Sequence, residues 1–162
     1  MNESTAASTA ERRIATAARD ATAGVYDARM VEVRSVIVRS LGEVAGSDRD
    51  VEGEGWRSRR LLLRRDGMGF SLHDTTVAAG SELTLHYKHH LEACYLLDGE
   101  AELTDLATGE RHALGPGSMY ALDQHDRHTL KVRTDLHLVC VFNPALTGGE
   151  THDADGSFPP SD

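Results

Sequence analysis

From Val36 onward the chain is a series of short runs of β-branched and apolar residues separated by turn signals, the texture of all-β barrels and sandwiches. The runs predict strands at Val36–Ser40, Arg59–Arg65, Phe70–Ala78, Leu83–Tyr87, Ala93–Leu97 and Ala101–Leu106, then Glu110–Leu114, Ser118–Leu122, His128–Val132 and Leu136–Phe142. Asp98-Gly99 accepts positive φ at low cost and suits a tight hairpin, and Thr108-Gly109 marks the next reversal. Ten or so antiparallel strands in about 105 residues leave no room for crossover helices, which favours a closed or double-sheet β architecture. After Asn143 the residues Pro144, Gly148, Gly149, Gly156, Pro159 and Pro160 predict an irregular tail.

Residues Met1–Ser35 read differently. They are rich in Ala, Thr, Ser and Arg, with no sustained apolar period, so disorder or a frayed helix around Thr9–Ala23 is expected. Glu3, Glu11 and Asp20 argue against a transit peptide, and a start codon upstream of the natural one is the expected origin of the extension. The organisation expected is an atypical extension over residues 1–35, one domain over 36–157 and a flexible end over 158–162.

The 40% hydrophobic content of the 162 residues encloses one core. No run approaches the ~20 apolar residues that span a bilayer, and no secretory signal is visible, so a cytoplasmic protein with no membrane partner is expected. With 17 Lys and Arg against 26 Asp and Glu, the net charge is −9, and no basic stripe could collect phosphates, which excludes nucleic acid as the expected partner. Cys94 and Cys140 lie inside apolar runs without Cys-x-x-Cys spacing, suggesting neither a zinc knuckle nor a disulfide scaffold. Of the nine histidines, seven fall between His73 and His128.

The spacing of the middle of the chain resembles the cupin signature, which runs Gly, five residues, His-x-His, three or four residues, Glu, six residues, Gly. Here Gly80 is followed by His86, Lys88 in the second His place, Glu92 and Gly99. The second cupin motif is echoed by Gly115-Pro116-Gly117, with Tyr120 where a metal-binding His is usual and Gln124 in an Asn place. The implied fold is a cupin double-stranded β-helix, a jelly-roll barrel, whose His-rich metal site is partly rewritten. Glu92 offers a hard carboxylate, Tyr120 a phenolate if a cation lowers its pKa, and His128 an imidazole, a donor set that suits iron(II) better than structural zinc. On the general motif alone a catalytic metal and a metal-free core stand equally open. Glu92 paired with Lys88, Tyr120 as a core aromatic and His128 at the surface are the ordinary alternatives.

Longer runs carry a sharper resemblance. Arg39-Ser40-Leu41, Trp56-Arg57-Ser58-Arg59-Arg60-Leu61-Leu62-Leu63, Asp66-Gly67-Met68-Gly69-Phe70-Ser71, His89-His90-Leu91-Glu92, Tyr120-Ala121-Leu122-Asp123, His125-Asp126-x-His128 and Val139-Cys140-Val141-Phe142-Asn143-Pro144 are similar to ectoine synthase, over Val36 to about Ser157. The resemblance implies a carbon–oxygen hydro-lyase. Such an enzyme closes N-γ-acetyl-L-2,4-diaminobutyrate into ectoine with loss of water, the last step in making this compatible solute under osmotic stress. It implies iron(II) on Glu92, Tyr120 and His128. It also implies substrate contacts from Trp56, Arg60, Thr75, Tyr87, Cys140 and Phe142, with Glu150 and His152 as alternative bases in a tail folded over the barrel mouth. Arg60 is expected to hold the substrate carboxylate and Cys140 to pack rather than act as nucleophile, while Gly148-Gly149 would let the tail close as a lid. The family's homodimers use an edge strand, for which Val36–Ser40 is the candidate. The competing class is a non-catalytic cupin that binds a small zwitterion or sugar and needs no iron.

Overall fold

The turn-punctuated apolar runs fold into ten strands, all antiparallel, in a computed structural model that describes residues 35–161. Strands β1 (Asp50–Gly53), β2 (Trp56–Leu62), β3 (Ser71–Val77), β10 (Leu136–Asn143), β5 (Leu91–Asp98) and β8 (Met119–Leu122) form one sheet in that order. The other sheet runs β4 (Glu82–Leu85), β9 (His128–Val132), β6 (Ala101–Asp105), β7 (Arg111–Leu114). Alternate residues of β5, β8, β9 and β10 face inward, as the two-residue strand period requires. On β10 these are Leu136, Leu138, Cys140 and Phe142, which meet Leu103, Leu114, Leu130 and Val132 of the smaller sheet in one core. This is the double-sheet architecture expected from the sequence.

Three local expectations are revised. Val36–Ser40 forms no strand: Ser40 caps the short helix α1 (Leu41–Val44), its hydroxyl accepting from the Glu43 N–H at 3.3 Å while the Glu43 carboxylate accepts from the Ser40 N–H at 2.6 Å. The first strand is instead β1, whose sequence Asp-Val-Glu-Gly has too few apolar residues to signal a strand, yet it is held at the sheet edge against β2 by the Arg57–Asp50 ion pair. The third revision is Asp98-Gly99, which makes no hairpin. β5 belongs to the larger sheet and β6 to the smaller, so the chain changes sheets there. Gly99, at φ +89°, packs so tightly on Asp135 that a Cβ would lie 2.2 Å from its carbonyl oxygen. Thr108-Gly109 does close a hairpin, between β6 and β7.

The expectation for the N-terminal extension falls, apart from Ser35, outside the described residues. The tail beyond Asn143 has no strand, as expected, but it is packed rather than loose. His90 is buried with its ring nitrogens 2.8 and 3.0 Å from the carbonyls of Pro144 and Pro159. Gly156 sits against β4 where a Cβ would meet the Thr84 carbonyl at 2.4 Å. Phe158, assigned from sequence to the flexible end, is 4% exposed in the core. No helix among the described residues is long and apolar enough to cross a membrane.

Candidate active site and metal centre

Strand register brings the site together. Cys94 of β5 lies opposite Cys140 of β10 on one side and Tyr120 of β8 on the other, and Glu92 lies opposite Phe142. Inward residues of three adjacent strands therefore form one cluster: Glu92, Cys94, Tyr120, Cys140 and Phe142, all buried. His128 opens β9 on the facing sheet, 1% exposed, with its ring centroid 6.2 Å from that of Tyr120. A cavity between the sheets is lined by Glu92, Tyr120, Cys140 and Phe142, by Trp56, Thr75 and Tyr87, and by His152 and Phe158 of the tail.

Two of the three donors expected to hold iron have unmet chemistry that fits a cation. Glu92 Oε2 and His128 Nε2 are buried without a hydrogen-bond partner, a costly condition that a bound cation relieves. Nδ1 of His128 donates to the Asp126 carbonyl at 3.2 Å, which leaves the Nε2 lone pair free, as a metal-binding imidazole requires. Burial pushes the Glu92 carboxyl up to about 7 against the lowering effect of hydrogen bonds from the Cys94 and Cys140 thiols, and it raises the Tyr120 phenol well above its ordinary value. Glu92 also belongs to a second cluster: ligand atoms of Glu92, Cys94 and Cys140 all lie within 4.8 Å of one another.

The tail carries the remaining groups. His152 packs on Phe158 at 4.4 Å between ring centroids and meets the Trp56 ring edge-on at 5.1 Å, with Nε2 2.9 Å from the Tyr87 hydroxyl. Burial, then the Arg60 charge, lowers His152 to about 4, so it is neutral. Arg60 and Glu150 stand apart from the cavity lining. Nη1 of Arg60 donates to the Gly148 carbonyl and to Glu150 Oε2 at 2.9 Å, Nη2 donates to the Glu150 carbonyl at 2.6 Å, and the guanidinium lies 5.6 Å over the Phe158 ring. Both Nη groups expected to bind a substrate carboxylate are thus engaged with the tail. Glu150 is equally committed: burial would raise its carboxyl, but donors from Thr147 and Gly148 hold it at about 2, too weak a base for an amine.

Ser58, His73 and Phe158 line the cavity and were not singled out from the sequence. The two-residue period could have found the first two, since Ser58 lies two residues from Trp56 on β2, and His73 two from Thr75 on β3. His73 is 1% exposed, with Nδ1 3.1 Å from the Ser58 hydroxyl and Nε2 unpartnered. Burial, then the Arg60 charge, lowers its pKa from 6.5 to about 3. Below pH 6.5 the unfolded chain takes a proton that the folded ring refuses, so this histidine costs stability progressively as pH falls toward about 3. A His73→Asn variant will therefore gain stability relative to the parent as pH falls through that window, read from urea midpoints at several pH values. An unchanged difference would place a charged, solvated ring there.

The family model for ectoine synthase matches residues 36–162. The chain is 56% identical over 124 residues to the L-ectoine synthase of Sphingopyxis alaskensis, covering 76% of this chain and 90% of that one. Against the L-ectoine synthase of Desulfosudis oleivorans the figures are also 56% over 124 residues, with 76% and 96% covered. The crystal structure of ectoine synthase from P. lautus superposes with a TM-score of 0.67 at 49% identity, over 70% of this chain and 81% of that one. An RmlC-like cupin from Shewanella frigidimarina, 20% identical at a TM-score of 0.51 over 59% of this chain and 82% of that one, shares the fold alone. With the family model running through the tail that closes the cavity, and relatives at this identity matched over nearly their whole length, this chain belongs to the ectoine synthase family, a group of hydro-lyases built on the cupin fold.

Proposed function

We propose that the cavity closes N-γ-acetyl-L-2,4-diaminobutyrate to ectoine around an iron(II) held by Glu92, Tyr120 and His128. The observation that carries the metal reading is the pair of buried, unpartnered ligand atoms, Glu92 Oε2 and His128 Nε2, on facing sheets with Tyr120 beside them. Iron bound there supplies a Lewis acid for an amide carbonyl, which is otherwise a poor electrophile.

The chain's own residues do the rest. Trp56, Tyr87, Phe142 and Phe158 form an aromatic wall that excludes water and folds the flexible substrate so that amine and acetyl carbon meet. Thr75 and the unpartnered Nε2 of His73 are the polar groups of the β3 wall, within the field of Arg60, and take the substrate carboxylate. His152, kept neutral, takes the proton of the substrate ammonium at Nε2 or through the Tyr87 hydroxyl. The amine nitrogen then bonds to the acetyl carbon, and the two protons it gives up leave with the carbonyl oxygen as water. Cys140 packs against the substrate. Arg60 and Glu150 act one step back, as the clasp that holds His152 and Phe158 over the cavity.

NMR of the product from synthetic acetylated diaminobutyrate, with iron(II), zinc(II) and chelator in parallel, tests the reading. Ectoine formed with iron and lost with chelator is expected, and iron-loaded protein that forms none would overturn it. His152→Asn is expected to lower kcat by roughly 10²–10⁴ while iron content stays the same. A loss of iron in that variant would place His152 among the ligands instead.

The assembly proposed is a homodimer in which the first described residues of one protomer add to a second. Among the described residues Val38 is 82% exposed, and β8 is an edge of the larger sheet with no further strand beside it. Beside that edge the cross-strand pair Tyr95 and Met119 is 47% and 63% exposed. Residues Val36–Ser40 of one chain laid along β8 of another would bury both and complete the edge. Light scattering is expected to give twice the chain mass, and Val38→Asp the single mass; a monomeric parent protein rules the dimer out.

A further inference from the structure

The proposed iron ligands leave two buried thiols unused. Cys94 and Cys140 are cross-strand partners on β5 and β10, 1% and 3% exposed, with sulfurs 3.1 Å apart. Both are free thiols, and both lie with Glu92 in the one such cluster among the described residues, its ligand atoms all within 4.8 Å of each other. The Glu92 oxygen that lacks a partner is buried in the same place. Two central strands hold the sulfurs, so little side-chain freedom remains to be lost on binding. Cys140 also lines the cavity, which gives an ion a route in.

We propose that Cys94, Cys140 and Glu92 form a second, sulfur-rich metal site that takes a soft divalent cation, of the zinc or cadmium class, at the floor of the cavity. Thiolate prefers such ions, whereas carboxylate, phenolate and a single imidazole suit a harder one. Binding replaces two S–H bonds with two sulfur–metal bonds and releases two protons where Glu92 is already ionised, as it is well above pH 7, and the carboxylate supplies the third donor. Because Glu92 belongs to both donor sets, the two ions exclude one another. That exclusion, unlike the site itself, rests on the iron reading proposed above.

The test is an anaerobic cadmium titration of metal-free protein, followed by the ultraviolet thiolate-to-cadmium charge-transfer band and by proton release to an indicator dye. At a pH well above 7, where Glu92 is already ionised, one equivalent of cadmium is expected to saturate the band with two protons released. Cys94→Val and, independently, Cys140→Ser are expected to lose it, with folding checked by circular dichroism. Absence of the band in the parent protein, or a full band in a folded Cys94→Val variant, overturns the site. Cadmium-loaded protein is expected to take up no iron(II), and full iron uptake by it overturns the exclusion. Failure of cadmium-free protein to take up iron defeats the iron reading, and leaves the cadmium band to judge the thiol site separately.

Discussion

Glu92→Gln will bind no iron and lose turnover by at least about a hundredfold, because changing even an outer partner of a metal ligand costs about 10–100-fold and this residue is proposed as a ligand itself. The same substitution will stabilise the metal-free protein. Burial raises the Glu92 carboxyl from 4.5 to about 7 in the fold. Folded and unfolded chains are both protonated there below pH 4.5, but above it the unfolded chain ionises first, so stability is lost as pH rises through about 7. The amide escapes that loss, so the variant should exceed the metal-free parent by roughly 3 kcal/mol above pH 7 and by little below pH 4.5. Iron analysis, product NMR and urea denaturation at two pH values measure the three parts. A Glu92→Gln protein that still holds iron would remove the central claim about the centre.

Arg60→Met will unfold at a lower temperature by roughly 10 °C, since removing one partner of a buried ion pair costs about 3–5 kcal/mol. Arg60 is fully buried, its Nη groups carry two tail carbonyls and the Glu150 carboxylate, and its face lies over Phe158. Loss of the clasp frees His152 and Phe158, so kcat falls along with stability. Arg60→Lys will not restore either, because an ammonium cannot serve three acceptors on the plane of a guanidinium. Were Arg60 chiefly a substrate-carboxylate ligand, the variant would melt normally and show a raised KM with little change in kcat; differential scanning calorimetry with steady-state kinetics separates the two.

Local signals survived well where they depend only on neighbours in the chain. The run His128–Val132 is β9 residue for residue, and Leu136–Phe142 is β10 but for its last residue. Thr108-Gly109 is a hairpin because β6 and β7 pair directly. Asp98-Gly99 carries the same local signal and is a sheet change, because what pairs with β5 is β10 and β8, more than 20 residues away in sequence. The Ser40-x-x-Glu43 capping box, which the strand reading passed over, outranked the apolar Val36–Val38 that precedes it. β1 shows the converse, a strand made by its partner rather than by its own composition.

At the site, motif spacing and family likeness had already singled out Glu92, Tyr120, His128 and His152, because a ligand or base is recognisable by residue type and position. Which groups Arg60 and Glu150 face was not legible, since that depends on where a strapless tail of glycines and prolines comes to rest. Phe158 is the sharpest case: four residues before Asp162 and beside Pro159-Pro160, its surroundings in the chain describe a loose end, and the opposed Tyr87, His152 and Phe142 rings with the Arg60 guanidinium bury it. The sequence by itself determined the strand-rich architecture, the family and the donor types, all of which are written in short-range pattern and chemistry. The tertiary structure alone decided that Cys94 meets Cys140, that Arg60 clasps the tail, and that His73 turns an unpartnered nitrogen into the cavity wall. Those are contacts between residues distant along the chain, and register and packing, which no local pattern encodes, set them.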